Sequence, residues 1–276
     1  MSELKQRLDA IVAGREPAEH LHQDPLGIVR EFNTEADQEL VGLLAASLAF
    51  GNVVSIRRSI RRVLQVLGPE PYRALMETDA TRLRRRLGKF RHRVYRGAHV
   101  ASLLLNAREV LRGHGSIGYA MVQHMHAAEG DFREALARLA EELRGESQER
   151  GMRHLVSDPR AGSACKRLLL YCRWMIRPDD GLDLGLWSLS PAVLVMPIDT
   201  HVHRIARNLG LTDRNDASWV TAAEVTSALR EFDAEDPVKY DFALCHLGIS
   251  GDCPSRRDPQ ICQGCSLRAH CREWLA

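Results

Sequence analysis

Four cysteines near the carboxyl end of the sequence are the residues best suited to chemistry. Cys253, Cys262, Cys265 and Cys271 lie within 19 residues, with the spacing Cys-x8-Cys-x2-Cys-x5-Cys. Four thiolates so close in sequence can bind one soft metal centre by ordering only a short loop, so the entropy lost on closure is small. The unequal gaps favour a 4Fe-4S cluster, in which each thiolate binds a different iron.

Zinc and disulfides are the alternatives to a cluster. Structural zinc sites usually contain two Cys-x2-Cys pairs, whereas this sequence has one. The cysteine total of seven is odd, and Cys165, Cys172 and Cys245 lie in apolar, helix-like stretches where cysteine normally packs. We therefore expect a protein of a reducing compartment, with the cluster favoured over zinc and zinc over disulfides.

The segments that must position these cysteines are predicted to be helices. Apolar residues recur at helical spacing and the runs end near Gly or Pro in four segments, residues 37–49, 56–67, 94–111 and 164–176. No strand with alternating polarity stands out. The longest apolar run, residues 43–50, is too short to cross a bilayer, and the first nine residues do not resemble a secretory signal. We expect an all-α protein with no membrane partner.

Asp199 begins another predicted helix, which ends at Gly210. Aspartate is a favoured N-cap, because its oxygen accepts hydrogen bonds from the free amides of the first turn. Such bonds and the helix dipole keep the carboxylate ionised. A fixed anion could also stabilise a developing sugar cation or accept a proton. Its position alone is explained by capping, so the catalytic interpretation needs further support.

Basic residues are concentrated in two segments of a chain whose net charge is only +2. Four arginines lie in residues 57–62, and eight Arg or Lys residues lie in residues 82–96, with no acidic residue between 81 and 107. Local basic surfaces on a nearly neutral protein suit binding to a phosphate backbone. Exposed arginines on ordinary helices are the alternative interpretation.

The segment Ile198-Asp199-Thr200-His201-Val202 with Arg204, followed by an apolar helix at 241–247 and the four-cysteine loop, resembles the endonuclease III branch of the helix-hairpin-helix DNA glycosylases. In that branch a Val-Asp-Thr-His helix carries the catalytic aspartate, and a Cys-x6-Cys-x2-Cys-x5-Cys loop holds a 4Fe-4S cluster. The last two gaps match, and the first is two residues longer here. Residues 196–271 carry most of the resemblance, and the helical pattern of 40–111 suits the six-helix domain of the family. Residues 166–175 and 197–204 are more similar still to bacterial proteins known mainly as conserved hypotheticals.

The hairpin before the aspartate departs from the family. Its members have a Leu-Pro-Gly-x-Gly-x-Lys-Thr-Ala-like hairpin whose glycines let backbone amides approach a DNA phosphate. The corresponding residues 155–166 contain one glycine and an additional proline, so the phosphate grip is remodelled or lost. The interval of 33 positions from Lys166 to Asp199 is instead similar to that in archaeal 8-oxoguanine glycosylases.

The resemblance implies that Asp199 and Lys166 are catalytic. A bifunctional glycosylase needs a neutral amine to attack the sugar C1′, and arginine cannot supply one. Only four of the 38 basic residues are lysines. Ser163 is a plausible N-cap that would place Lys166 in the first turn of its helix, although an ordinary surface lysine is the alternative. Lys239 is a competing nucleophile, which we expect to pair with Asp236 or Asp241.

Four residues are predicted to contact nucleic acid. Asn52 follows an apolar helix where the resembled family carries a polar wedge that fills the gap left by a flipped base, although an ordinary helix end also explains it. His201 belongs to the Asp-Thr-His signature. Arg256 and Arg257 lie between the first two cluster cysteines, where the family presents basic residues to phosphates.

Together these features predict a two-lobed, all-α, helix-hairpin-helix glycosylase-like fold with a C-terminal 4Fe-4S loop. Residues 37–190 would form a six-helix-barrel-like domain, and residues 1–36 with 191–276 the iron–sulfur domain. The expected function is base-excision repair: a DNA glycosylase extrudes a damaged base and cleaves its N-glycosidic bond, with AP-lyase activity if Lys166 attacks. We expect damaged or abasic double-stranded DNA as partner, a monomeric state and a cytoplasmic, nucleoid-associated location. The alternatives are a non-catalytic iron–sulfur protein that binds nucleic acid on the same scaffold and, less favoured, a redox carrier.

Overall fold

A computed structural model describes residues 3–14, 21 and 24–275 of the chain. It is 63 % helical, and the described residues form sixteen α-helices and one two-stranded hairpin. The prediction of an all-α protein is therefore confirmed. Within the described residues, no helix is both long enough and apolar enough to cross a membrane.

The chain divides into two compact units, which are described separately. The larger unit comprises residues 17–161 and 170–189, and the smaller unit comprises residues 1–16, 162–169 and 190–276. The sequence predicts domain boundaries after residues 36 and 190. In the structure, residues 24–36 group with the larger unit and residues 162–169 group with the smaller one.

The larger unit is built from short and medium helices joined by tight turns. Its elements are α2 (Leu26–Val29), α3 (Glu35–Leu48), α4 (Val53–Leu67), α5 (Pro71–Glu77), α6 (Ala80–Leu87), β1 (Arg91–His92), β2 (Tyr95–Arg96), α7 (Gly97–His114), α8 (Ile117–Ala127), α9 (Phe132–Arg144), α10 (Arg150–Leu155) and the second half of α11 (Lys166–Ile176).

Helix α3 lies in the interior of the larger unit, where residues 39–48 are all buried. Gly42 allows close packing on α11, since an added Cβ would lie 2.4 Å from Met175 Cε. Glu39 accepts hydrogen bonds at 2.7 to 3.0 Å from the first amides of α8 and from the Trp187 indole. Burial nevertheless raises the pKa of Glu39. This buried carboxylate therefore ties three segments of the larger unit together.

The helix predicted over 94–111 begins later, at Gly97, because the preceding residues form the β-hairpin. β1 pairs with β2 in antiparallel register, and Arg93 at the turn has a left-handed φ of 54°. The first residue of α7 has to be glycine, because a Cβ at Gly97 would lie 1.8 Å from the Leu87 carbonyl oxygen. A strand of two residues is too short to show the repeated alternation of polarity that predicts a strand.

Two arginines anchor the second half of α11 within the larger unit. Arg173 Nη2 lies 3.1 Å from Asp183 Oδ1, and Arg177 pairs with the same carboxylate. Asp183 is completely buried. Because separating a buried ion pair leaves a charge uncompensated, this cluster holds the loop after α11 against the helix.

The smaller unit contains the first turn of α11 and five later helices, together with α1 from the amino-terminal segment. These helices are α1 (Glu3–Ala13), α12 (Thr200–Asn208), α13 (Trp219–Arg230), α14 (Asp241–Ile249), α15 (Pro259–Cys262) and α16 (Arg272–Leu275). Helix α12 packs against α14 and α16, and α1 packs against α14. The helices predicted over 199–210 and 241–247 correspond to α12 and α14.

Candidate active site

Asp199 is the N-cap of α12, as its position in the sequence predicted. Its backbone is extended, with φ −110° and ψ −174°. One carboxylate oxygen, Oδ1, accepts the amide hydrogens of His201 at 2.9 Å and Val202 at 2.8 Å. The segment before the cap is fixed as well, because the buried Met196 amide donates to Thr226 Oγ1 at 2.9 Å.

The other carboxylate oxygen of Asp199 faces Lys166. The distance from Lys166 Nζ to Asp199 Oδ2 is 3.5 Å, and the two side chains are 33 % and 17 % exposed. The fold thus brings together Lys166 and Asp199, two residues that are predicted to be catalytic and are far apart in the sequence. The pair is accessible enough for a substrate to reach the amine, yet sheltered enough for its charges to interact strongly.

Lys166 is the first residue of α11, and a bent backbone segment leads into it. Ser163 Oγ accepts the Cys165 amide at 3.2 Å, inside the turn that precedes the helix, so Ser163 stabilises this turn. Cys165 adopts a left-handed φ of 47°. The Trp219 amide donates to the Gly162 carbonyl at 3.0 Å and anchors the segment to the start of α13. Lys166 is therefore held in the first helical turn, as expected, but the prediction that Ser163 is the N-cap was wrong, because the helix begins at Lys166, three residues later.

The pKa of Asp199 lies below its ordinary value. Burial alone would raise it, but the Lys166 ammonium outweighs that effect, together with the Val202 amide, the His201 charge and the Cys245 thiol. These groups all favour the charged form. The carboxylate is consequently ionised at neutral pH and can accept a proton or stabilise a cation.

Lys239 does not compete for this role. The partners predicted for it, Asp236 and Asp241, were wrong: Nζ lies 2.6 Å from Asp233 Oδ2 and 3.2 Å from Asp9 Oδ1. Burial lowers the pKa of Lys239, but its bonds to these two carboxylates raise it well above the usual value. An amine held so firmly as ammonium is a poor nucleophile. Asp9 was missed because it lies 230 residues away in the sequence.

Cys245 is a site residue that the sequence analysis missed. Its thiol lies 3.5 Å from Asp199 Oδ2, the same oxygen that faces Lys166. The sequence predicts it to be a packing residue in an apolar stretch. Cys245 lies four residues after Asp241, on the same face of α14, but nothing in the sequence shows that this face meets α12.

His201 is pressed against α14 at a glycine. A Cβ added to Gly248 would lie 2.5 Å from His201 Cβ and 2.6 Å from its Nδ1. The His201 Nδ1 atom is buried and makes no hydrogen bond in the structure. Gly248 therefore sets how closely α14 approaches the helix capped by Asp199. This packing neither supports nor opposes the predicted contact of His201 with nucleic acid.

All four C-terminal cysteines line one pocket, together with Asn208, Arg257, Arg268 and Trp274. Their thiols are free, so the disulfide alternative does not describe this structure. As the side chains lie, no three of the described His, Cys, Asp and Glu residues are grouped to hold a metal ion. The donor set nonetheless fits a centre that prefers thiolate ligands.

Arg204 connects α12 to the loop that bears the cysteines. Its guanidinium donates to the Cys253 carbonyl at 2.6 Å and to Ser255 Oγ at 3.1 Å. The helix that begins with Asp199 is therefore tied directly to the backbone of the first cysteine. Any change in the order of this loop should reach α12 through these two bonds.

Arg256 and Arg257 are both exposed, as a phosphate-binding role requires. The Arg257 guanidinium lies 4.4 Å from the centre of the Trp274 ring, and that of Arg268 lies 5.4 Å from it. Cation–π contacts of this kind orient a guanidinium and leave its donors available. The cysteine loop thus presents ordered positive charge on its surface.

Asn52 is exposed and caps α4. Its Oδ1 accepts the amide hydrogens of Val54 at 2.9 Å and Ser55 at 3.4 Å. The alternative that Asn52 ends the preceding helix was wrong, because α3 ends at Leu48 and Asn52 begins the next helix. Its predicted role as a wedge in DNA stays a prediction.

A family model for proteins of unknown function (DUF2400) matches residues 24–250, and the chain belongs to that family. The matched region includes Asn52, Lys166, Asp199 and Cys245, and it ends before the first of the four C-terminal cysteines. No curated protein and no solved structure matches the chain.

The contact between Gly248 and His201 predicts the effect of a single methyl group. Gly248→Ala should destabilise the protein by about 1–3 kcal/mol, because the added Cβ overpacks the α12–α14 contact. Gly113→Ala is the matched control, since a Cβ at this helical glycine meets nothing within 4 Å. The control should be neutral or stabilising by up to about 1 kcal/mol. Urea denaturation followed by circular dichroism measures both, and equal stabilities would show that α14 does not approach α12 this closely.

Proposed function

We propose that the protein is a base-excision DNA glycosylase with AP-lyase activity. The observation that carries the proposal is the contact of Lys166 Nζ with Asp199 Oδ2 at 3.5 Å. This contact supplies an amine and a general base side by side. Glycosylases that form a Schiff base need both groups at one sugar carbon. The capping bonds of Asp199 hold its carboxylate in place and ionised, so it needs no rearrangement to act.

The reaction begins when the Asp199 carboxylate accepts a proton from the Lys166 ammonium. The neutral amine attacks C1′, and the bond between C1′ and the base nitrogen breaks, so that the leaving base takes the electron pair and the proton that Asp199 holds. The attacking nitrogen, now positively charged, then gives a proton back to the Asp199 carboxylate. Cleavage of the C1′–O4′ bond, with transfer of this proton from Asp199 to O4′, leaves an iminium ion joined to Lys166. Whenever Asp199 has released its proton, its carboxylate anion stabilises positive charge on the sugar.

The four cysteines Cys253, Cys262, Cys265 and Cys271 would hold a 4Fe-4S cluster in the pocket that they line. Four free thiols around a single pocket support this assignment. When bound, the cluster would supply order to the C-terminal loop. The exposed arginines of the loop and the Arg204 contacts would then have a fixed framework.

Surfaces of each unit support DNA as the substrate. In the smaller unit, the loop presents Arg256 and Arg257. In the larger unit, helix α6 exposes four arginines, Arg82, Arg84, Arg85 and Arg86. Beside the exposed Asn52, the side chain of Arg93 packs on Gly51, and the next residue, Val94, is 58 % exposed. A polar side chain at the turn before α4 and an apolar side chain at the hairpin turn are the kinds of residue that suit insertion at an extruded base.

A non-catalytic iron–sulfur protein that binds nucleic acid is the alternative from another class. It would use the same arginines and the same loop, and it would have no need for an amine beside Asp199. Covalent trapping of the enzyme on DNA separates the two proposals, because only the glycosylase forms an iminium that borohydride can reduce.

Lys166→Gln should abolish the borohydride-trapped complex with abasic-site DNA. The substitution removes the nucleophile, while the loss of one positive charge in 38 weakens DNA binding only slightly. Gel electrophoresis under denaturing conditions detects the adduct, and fluorescence anisotropy measures affinity. Lys239→Gln is the control and should still trap, because that lysine is bonded to two carboxylates. Trapping by Lys166→Gln would move the nucleophile elsewhere.

Asp199→Asn should reduce base release from a lesion-bearing oligonucleotide by about 10²–10³-fold. Asparagine caps helices about as well as aspartate, so stability should change little. A panel of damaged bases identifies the substrate, with base release and strand nicking measured separately. Unchanged release by a folded Asp199→Asn variant would leave Asp199 with a capping role only.

Cys262→Ser should prevent assembly of the metal centre. Protein purified without oxygen should be brown and contain about four irons per chain. The variant should lose the iron and the protease resistance of the last 24 residues. Stoichiometric zinc in place of iron in the anaerobic wild-type protein would overturn the cluster assignment.

A further inference from the structure

The two oxygens of the Asp199 carboxylate have different partners. Oδ1 is occupied by the two amides that it caps. Oδ2 is the oxygen available for proton transfer, and the described contacts to it come from Lys166 Nζ and Cys245 Sγ, each at 3.5 Å. Whatever fixes Oδ2 therefore also fixes the distance across which a proton would move.

We propose that Cys245 is a positioning residue: its S–H group donates to Asp199 Oδ2 and holds this oxygen toward Lys166. This inference rests on the proposed function for its catalytic meaning. The thiol would not touch the substrate. It would act only through Asp199.

The thiol is kept in the protonated form that a donor requires. Burial raises the pKa of Cys245 well above its ordinary value, and the negative charges of Asp199 and Asp241 act in the same direction. Lys166 opposes them without reversing the shift. An S–H group is a weak donor, so it can orient a carboxylate while reducing its basicity less than a hydroxyl would.

The backbone of α14 places the thiol where it can act. Cys245 and Gly248 are three residues apart and so lie on the same face of the helix. Gly248 lets this face approach α12, as its contact with His201 shows. A residue with a side chain at 248 would move Cys245 away from Asp199. The close approach at Gly248 therefore also brings Cys245 near Asp199.

Titration of Asp199 tests the proposal directly and needs no substrate. The titratable groups that face Asp199 are Lys166 from α11, His201 from its own helix and Cys245 from α14. Asp241 acts on Cys245 from the same helix. Carbon-13 labelling of aspartate carboxyl groups, with Asp199→Asn to assign the signal, reports the pKa of Asp199 by NMR. The same variants can be examined for the acid limb of the pH–rate profile of base release.

Cys245→Val removes the donor while filling the space, and Cys245→Ala is a second donorless variant in case valine disturbs folding. Losing a donor to the charged form disfavours that form, so the pKa of Asp199 should rise. The carboxylate is then lost at higher pH, and the acid limb should move to higher pH by the same amount. Cys245→Ser keeps a donor and should keep the pKa at or below the wild-type value.

Cys172→Ala is the matched control, because Cys172 is a buried helical cysteine in the larger unit. It should leave the titration of Asp199 unchanged. An unchanged titration in both donorless variants, or an equal shift in Cys172→Ala, would overturn the role of Cys245 whatever the activity. Failure of the wild-type protein to release any base would overturn the proposed function instead. The two failures are distinguishable because the NMR measurement uses no DNA.

Discussion

The site depends on one constraint, which is that the two oxygens of the Asp199 carboxylate bind different partners. A helix needs an acceptor for its first amides, and Oδ1 satisfies two of them. Once two amides hold that oxygen, rotation of the carboxylate is restricted, and Oδ2 lies toward Lys166 and Cys245. Capping is therefore compatible with the catalytic role proposed for Asp199, because the capping bonds would preorganise a base.

The positions of the two partners of Oδ2, Lys166 and Cys245, depend on backbone features of the chain. Lys166 points toward Asp199 because its helix begins directly after Cys165, whose left-handed backbone turns the chain. Cys245 reaches the same oxygen because Gly248 has no side chain. A methyl group or a shifted helix start would separate these groups by more than the tolerance of proton transfer. The site is thus specified by small residues and turns.

The sequence predicted the parts of this arrangement that have local signatures. Helical periodicity revealed the all-α class, and an aspartate before an apolar stripe revealed the cap of α12. Contacts between segments that are distant in the sequence have no local signature from which to predict them. Lys239 was assigned to neighbouring acids, although it pairs with Asp9 at the other end of the chain. Cys245 was predicted to be a core residue, because a cysteine that faces Asp199 and a cysteine that packs among leucines have the same local sequence pattern. The hairpin at 91–96 was missed because two-residue strands cannot show a period.

The use of lysine in this chain bears on the chemistry. Thirty-eight basic residues include only four lysines, so surface charge is supplied almost entirely by arginine. Two of the four, Lys5 and Lys239, pair with the same carboxylate, Asp9, at the contact of α1 with α14. Lys166 instead lies 3.5 Å from Asp199, the N-cap of α12, a longer contact than the 2.6 Å between Lys239 and Asp233. An arginine at position 166 could keep the ion pair with Asp199 but could not give up a proton, so the proposed chemistry requires a lysine there.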